Sequence, residues 1–119
     1  MDFRKAAEQG LAFAQFKLGQ MYDKGVGVPK DVAEAVKWYR KAAEQGEALA
    51  QFYLGEKHAN GNGVPKDLVQ AYAWWNIAGA KGDEFAKKYL AIAEKQMTPE
   101  QKAEAMKLAR EMVARLEKK

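Results

Sequence analysis

The sequence predicts an all-α fold: a right-handed superhelical solenoid of antiparallel helix pairs that ends in a C-terminal capping helix. Two observations carry this expectation. The first is an internal duplication. Lys41 to Asn76 repeats Lys5 to Arg40, a period of 41 − 5 = 36 residues, and keeps KAAEQG, AQF, LG, a G-x-GVPKD loop, and an Ala and a Trp at equal offsets. A fixed period of this size marks a stacked array, because each unit is too small to bury its apolar face alone and must be covered by its neighbours. The second is punctuation. Gly10, Gly46 and Gly82 each close a helical stretch, and the two GVPKD loops break the chain between the helices of each pair. The expected division is a partial helix over 1–10, repeats over 11–46 and 47–82, a half repeat over 83–96, and a capping helix over 97–119.

Composition narrows the classes. With 119 residues, 48% apolar and 30% charged, the chain suits one cooperative body and not a disordered segment. No apolar run approaches the ~18 residues of a membrane span. The first residues lack the basic start and apolar core of a signal peptide, so compartment stays open. Cysteine is absent, which excludes disulfides and thiolate metal sites. The net charge of +4 is spread among interleaved acids and bases, the pattern of a solvated surface and not of a nucleic-acid binder.

Taken in order, residues 2–9 read as the tail of a helix, matching 38–45. The first full helix runs from about Ala12 to Lys24, with Ala14, Leu18 and Tyr22 along one face at four-residue intervals. Gly19, and Gly55 in the next copy, cost helix stability, so they imply close approach of a neighbouring helix. Phe16 and Phe52 beside them read as inter-helix packing. Pro29 then stops the helix, and Asp31 is placed to cap the next one, with Glu34 completing a capping box; Pro65, Asp67 and Gln70 repeat the device. This loop lacks the strand and the G-K-[ST] ending of a phosphate-binding loop. The second helix, from about Val32 to Gln45, alternates small and large residues on one stripe: Ala35, Trp38, Tyr39, Ala42 and Ala43, matched by Ala71, Trp74, Trp75, Ala78 and Gly79. Such tryptophans read as core and not as base-stacking platforms. The third copy starts normally at Gly82 but then departs, with Ala91 in place of the helix glycine. Thr98, Pro99 and Gln101 form the start of a long last helix, whose Ala105, Ala109, Met112, Val113 and Leu116 share one side. Lys118 and Lys119 suit the negative end of its dipole.

The residues A-x-x-x-L-G-x-x-Y (Ala14 to Tyr22), G-x-G-V-x-x-D (Gly25 to Asp31), A-x-x-W-Y (Ala35 to Tyr39) and K-A-A-E-Q-G (Lys41 to Gly46) together resemble the Sel-one-like repeat family, a tetratricopeptide-like helical repeat. The resemblance covers nearly all of residues 1–95, and the M-T-P-E-Q start of the last helix resembles the ending of bacterial members. It implies an adaptor or scaffold. A cysteine-rich branch has been linked to beta-lactam binding or hydrolysis; its cysteines are all absent here, and that activity is not carried over. The chain departs from the pattern at His58, which replaces the repeat tyrosine, and at Phe13, Leu49 and Phe85, where members usually carry a polar residue.

The inventory of reactive groups speaks against an enzyme. There is no Ser and no Cys, one Thr (Thr98, a helix cap) and one His (His58), so a nucleophile–base pair is nearly impossible to assemble, and an imidazole metal site fails for the same reason. Glu34, Glu44 and Glu47 fall at caps or exposed helix positions. No catalytic, metal or cofactor residue is expected. The candidate site lies elsewhere. Counting 100° per residue from Ala14 puts Leu18 at about 40° and Phe13 at about 260°, away from the core. The period aligns Phe13, Leu49 and Phe85, then Lys17, Tyr53 and Tyr89, into a ladder, with Gln20 and Glu56 beside it. By the resemblance these helices line the concave surface. The expected function is non-catalytic capture of a protein or peptide segment there; the alternative is that these side chains pack helix on helix. A truncated or engineered array with no independent function stays open, as do a beta-lactam-related enzyme and a nucleic-acid binder. The expected state is a monomer or a weak dimer through the N-terminal repeat face.

Overall fold

The computed structural model describes residues 3–117 and is helical throughout, with seven helices: α1 (Phe3–Glu8), α2 (Ala12–Lys24), α3 (Val32–Glu44), α4 (Ala48–Asn60), α5 (Leu68–Ala80), α6 (Glu84–Glu94) and α7 (Pro99–Glu117). Met1, Asp2 and the closing Lys118 and Lys119, with their expected dipole role, lie outside the described residues. Chain neighbours pack pairwise from α1 to α6, so the hairpins α2–α3 and α4–α5 nest side by side through α3 and α4.

The hairpins close on their two helix glycines. A Cβ on Gly19 would sit 2.7 Å from the Tyr39 ring, and one on Gly55 would sit 2.5 Å from the Trp75 indole. The expected close approach is therefore ring on glycine, with an aromatic side chain of the second helix set against the backbone of the first. Alanine does the rest, since Ala35, Ala42, Ala43, Ala50, Ala71 and Ala78 are all fully buried. Phe16 and Phe52 are buried between helices, as are Trp38, Trp74 and Trp75.

The loops differ from expectation in one respect. Asp31 and Asp67 cap α3 and α5, accepting from the Glu34 and Gln70 backbone N–H groups at 3.1 Å. The reciprocal half of each capping box is not made, because the Asp31 N–H donates to the Tyr22 carbonyl (2.9 Å) and the Asp67 N–H to the His58 carbonyl (2.8 Å). These bonds tie each GVPKD loop back onto the helix before it, which leaves the Glu34 and Gln70 side chains without that donor. At α7 both halves form: Thr98 Oγ1 accepts from the Gln101 N–H (3.1 Å), and Gln101 Oε1 from the Thr98 N–H (2.9 Å). The second helix ends at Glu44, with Gln45 as its C-cap, one residue before the expected end.

The last helix packs chiefly along α5. Ala105 joins the cluster of Phe52, Tyr72 and Trp75, while Ala109 and Met112 join that of Tyr39, Trp74 and Ile77. It thus bridges the cores of both hairpins.

Where the two units differ, buried polar groups take over. Asp23 accepts from Lys57 (2.8 Å) and from the Tyr39 hydroxyl (3.0 Å), joining α2, α3 and α4 through a pair that the repeat pattern does not duplicate. His58 is 7% exposed, and neither ring nitrogen has a hydrogen-bond partner among the described residues. Burial lowers its pKa, Arg40 adds to that, and Asp67 and the Pro65 backbone pull weakly the other way. An unfolded histidine takes up a proton near pH 6.5. The folded one resists, so the unfolded state binds more protons as pH falls, and stability is present above about 6.5 and lost below it.

Two predictions follow from this packing. Gly55→Ala should destabilise by about 1–3 kcal/mol through overpacking, against a helix-propensity gain of about 1 kcal/mol, whereas Gly79→Ala, whose Cβ would lie 3.3 Å from the Lys87 Cγ and at ordinary contact distance, 3.7 Å, from the Lys87 backbone, should cost less or be neutral. Urea melts that ranked the two variants the other way would contradict the ring-on-glycine contact. For His58→Tyr, which installs the residue that the first unit has at Tyr22, urea midpoints should fall less between pH 7 and pH 5 than in the parent chain. An equal fall would mean that His58 is not the group being titrated.

Candidate interaction surface

The face of α2, α4 and α6 turned away from the glycine contact carries the ladder. Lys17 and its equivalents lie about 160° around the helix from Gly19 and its equivalents, because two residues subtend about 200°. Burying the glycine side therefore turns positions 13, 17, 49 and 53 toward solvent; in α6 the equivalent position is Ala91, itself exposed, and burial of Ala86 and Ala93 sets the helix instead. Phe13 is 54% exposed, Leu49 40% and Phe85 63%, so these three do not serve as core. Lys17, Gln20, Tyr53, Glu56 and Tyr89 are half-buried alongside them.

Beneath the ladder the aromatic rings form a continuous chain from α2 to α6. Phe16 contacts Tyr53 (5.7 Å between centroids), Tyr53 meets Phe52 edge-on (5.1 Å), and Phe52 in turn contacts Tyr89 (5.1 Å) and Phe85 (5.9 Å). Tyr39 stacks on Tyr53 from α3, and Trp75 meets Tyr89 from α5. Edge-to-face and offset contacts of this kind add stability beyond area burial and hold ring orientation. In the first unit a cation replaces the tyrosine: the Lys17 ammonium lies 5.4 Å from the Phe13 ring centre and 5.9 Å from that of Phe16.

The phenols beside this surface are held neutral. Burial raises the pKa of Tyr53, helped by Glu56 and Asp23; burial raises Tyr39 further, reinforced by Asp23. On the other side of the second hairpin, burial and the Glu94 carboxylate, 2.9 Å from its hydroxyl, push Tyr72 up to about 12.

A depression of about 350 Å³ opens at the far end of the same face, between α4 and α6. Glu56 and Tyr89 of the ladder line it, together with Asn60, Lys66, Ile92 and Gln96, which sequence reasoning did not single out. The signal was present: Asn60 and Gln96 lie 36 residues apart and continue the i, i+4, i+7, i+11 face of positions 49, 53 and 56. A larger depression, about 440 Å³, is lined from α3, α5 and α7 by residues such as Glu44, Ile77, Lys81 and Leu116, and includes none of the ladder. No group of three or more histidines or carboxylates that could hold a metal ion occurs among the described residues. No helix among them is long and apolar enough to cross a membrane.

Comparison with known proteins accords with this architecture. The Sel1 repeat model matches residues 3–11, 12–47 and 48–83. A protective antigen of uropathogenic Escherichia coli with an SLR fold superposes with a TM-score of 0.93 at 42% identity, over 96% of this chain and 25% of that one. A Sel1 repeat protein from Oxalobacter formigenes gives a TM-score of 0.74 at 47% identity, over 75% of this chain and 67% of that one. A chitin synthase regulator of Malassezia restricta is 47% identical over 36 residues, 30% of this chain and 2% of the fungal protein. The chain thus spans a quarter of the length of the Escherichia coli relative and a small fraction of the fungal one. Sel1 repeat proteins are generally protein-interaction scaffolds, and their fold is typically non-catalytic. With three matched segments over most of its length and two SLR-fold neighbours at more than 40% identity, the chain belongs to the Sel1 repeat family.

Proposed function

We propose that this chain is a non-catalytic interaction module that captures a protein or peptide segment on the concave face formed by α2, α4 and α6. Phe13, Lys17, Gln20, Leu49, Tyr53, Glu56, Phe85 and Tyr89 are its contact residues, presented by complete repeats over 11–46 and 47–82 and a half repeat over 83–96. One observation carries the reading. Three large apolar side chains occupy the same register position in the alternate helices α2, α4 and α6, and each is at least 40% exposed. Scattered surface hydrophobics need no explanation, but an aligned set over an aromatic floor offers contiguous area for contact. The floor is held by ring contacts, so little side-chain freedom is lost on binding. Aromatic anchors of this kind often dominate interface energies.

The reading is tested by photo-crosslinking. A photoreactive phenylalanine at Tyr53 or Tyr89 should capture a partner from the source cell, whereas the same group at the exposed Met106 of α7 should not. In F13E/L49E/F85E, capture should vanish while helical circular dichroism stays intact and melting shifts by only a few degrees. Unfolding of the triple variant would make the three residues core, and equal capture from position 106 would place binding elsewhere.

A further inference from the structure

The ladder is not the same in all three helices, and the difference has a direction. At the rung after Phe13, Leu49 and Phe85, the chain has Lys17 on α2 but Tyr53 on α4 and Tyr89 on α6. No carboxylate among the described residues lies within 4.0 Å of the Lys17 ammonium, although it is half-buried and held against two aromatic rings. The acid on the same helix, Asp23, is already satisfied by Lys57 and Tyr39. Lys24, one turn beyond Gln20 on the same face, adds a second positive charge with no ion-pair partner among the described residues. The acid among the ladder residues is Glu56 on α4, and the α6 positions Phe85, Tyr89, Ile92 and Gln96 are uncharged. The α2 end of the face therefore carries lysines, while toward α6 Glu56 and Asp83 stand beside Tyr53 and Lys66 edges the depression, so the net positive charge lies at α2.

We infer that the captured segment is an acidic–apolar peptide bound in one orientation, with a carboxylate on Lys17 and apolar side chains against Leu49–Tyr53 and Phe85–Tyr89. This rests on the function proposed above and adds the partner's chemistry and direction. An ammonium already partly desolvated by rings, with its stem packed, gives an incoming carboxylate a charge-assisted hydrogen bond without displacing another acid. Spacing sets the motif. Ring contacts of 5.7 Å from α2 to α4 and 5.1 Å from α4 to α6 keep adjacent helices at packing distance, roughly 10 Å between axes. An extended chain advances about 3.3 Å per residue, so consecutive anchors fall about three residues apart. The recognised pattern is an acid at one end and two apolar residues at successive intervals of about three positions, whichever way the peptide chain runs.

A random peptide library selected on the immobilised domain, counter-selected against F13E/L49E/F85E, tests this. The recovered peptides should be enriched in that acid–apolar–apolar spacing. In fluorescence polarisation, changing the acid to its amide should weaken binding about tenfold, and in Lys17→Gln the acid and amide peptides should bind equally. Melting of Lys17→Gln checks that the fold is kept. Binders that need the ladder but show no acid preference, or that keep it in Lys17→Gln, would overturn the inference and leave the interaction surface standing. A selection that returns only peptides insensitive to the triple variant, or none at all, would overturn both.

Discussion

The contact on which the structure depends is the laying of an aromatic ring on a glycine backbone inside each hairpin, Tyr39 on Gly19 and Trp75 on Gly55. Glycine is a poor helix residue, and its presence at the same place in both units makes sense only because the missing Cβ lets two helices approach by a side chain's width. That approach orients everything else. With the glycine edge of α2 and α4 fixed inward, the opposite edge must face solvent, and the residues there are the first two helices' share of the ladder. Surface and core are thus two consequences of one rotation about the helix axis.

Duplication sets the frame, and departures from it carry the individuality of this chain. Tyr39 and Trp75 do the same packing, yet their polar ends need different partners: the phenol donates to Asp23, whereas the Trp75 indole N–H donates to the Phe52 carbonyl at 3.0 Å. Asp23 is needed in the first unit because tyrosine stands there, and its charge is in turn met by Lys57 from the second. This buried pair joins neighbouring units at one register. Breaking such a pair by removing one partner leaves an uncompensated charge, so it specifies alignment more than it adds stability. Tyr22 and His58 differ in the same way. The phenol accepts from Arg4 at 2.6 Å, while the imidazole is enclosed near Arg40 and the Pro65 backbone.

Much of this was legible in the sequence because repetition turns weak local signals into strong ones. Two glycines at one offset imply close approach where a single one would be ambiguous, and the start of α2, the buried Phe16 and Phe52, and the Thr98 cap follow from spacing and chemistry alone. What was hidden is what repetition averages away. Asp23 and Lys57 correspond to Ala59 and Met21 in the other copy, so no pattern flags them as a pair. The incomplete capping boxes reflect competition that sequence does not display: the Asp31 and Asp67 N–H groups find backbone carbonyls at the end of the preceding helix. The course of α7 along α5 was equally opaque, since it has no counterpart in the other units. The ladder could be aligned from the period, but whether it pointed outward depended on the hairpin geometry around it.

The most direct measurement is hydroxyl-radical footprinting read by mass spectrometry, because α2 and its equivalents carry phenylalanines on both sides of the same rotation. Phe13 and Phe85 should be oxidised several-fold faster than Phe16 and Phe52, although Phe13 and Phe16 are only three residues apart. Equal protection of all four would mean that the outward face is covered or that the helices are rotated from the orientation described, and the account of this surface would fail.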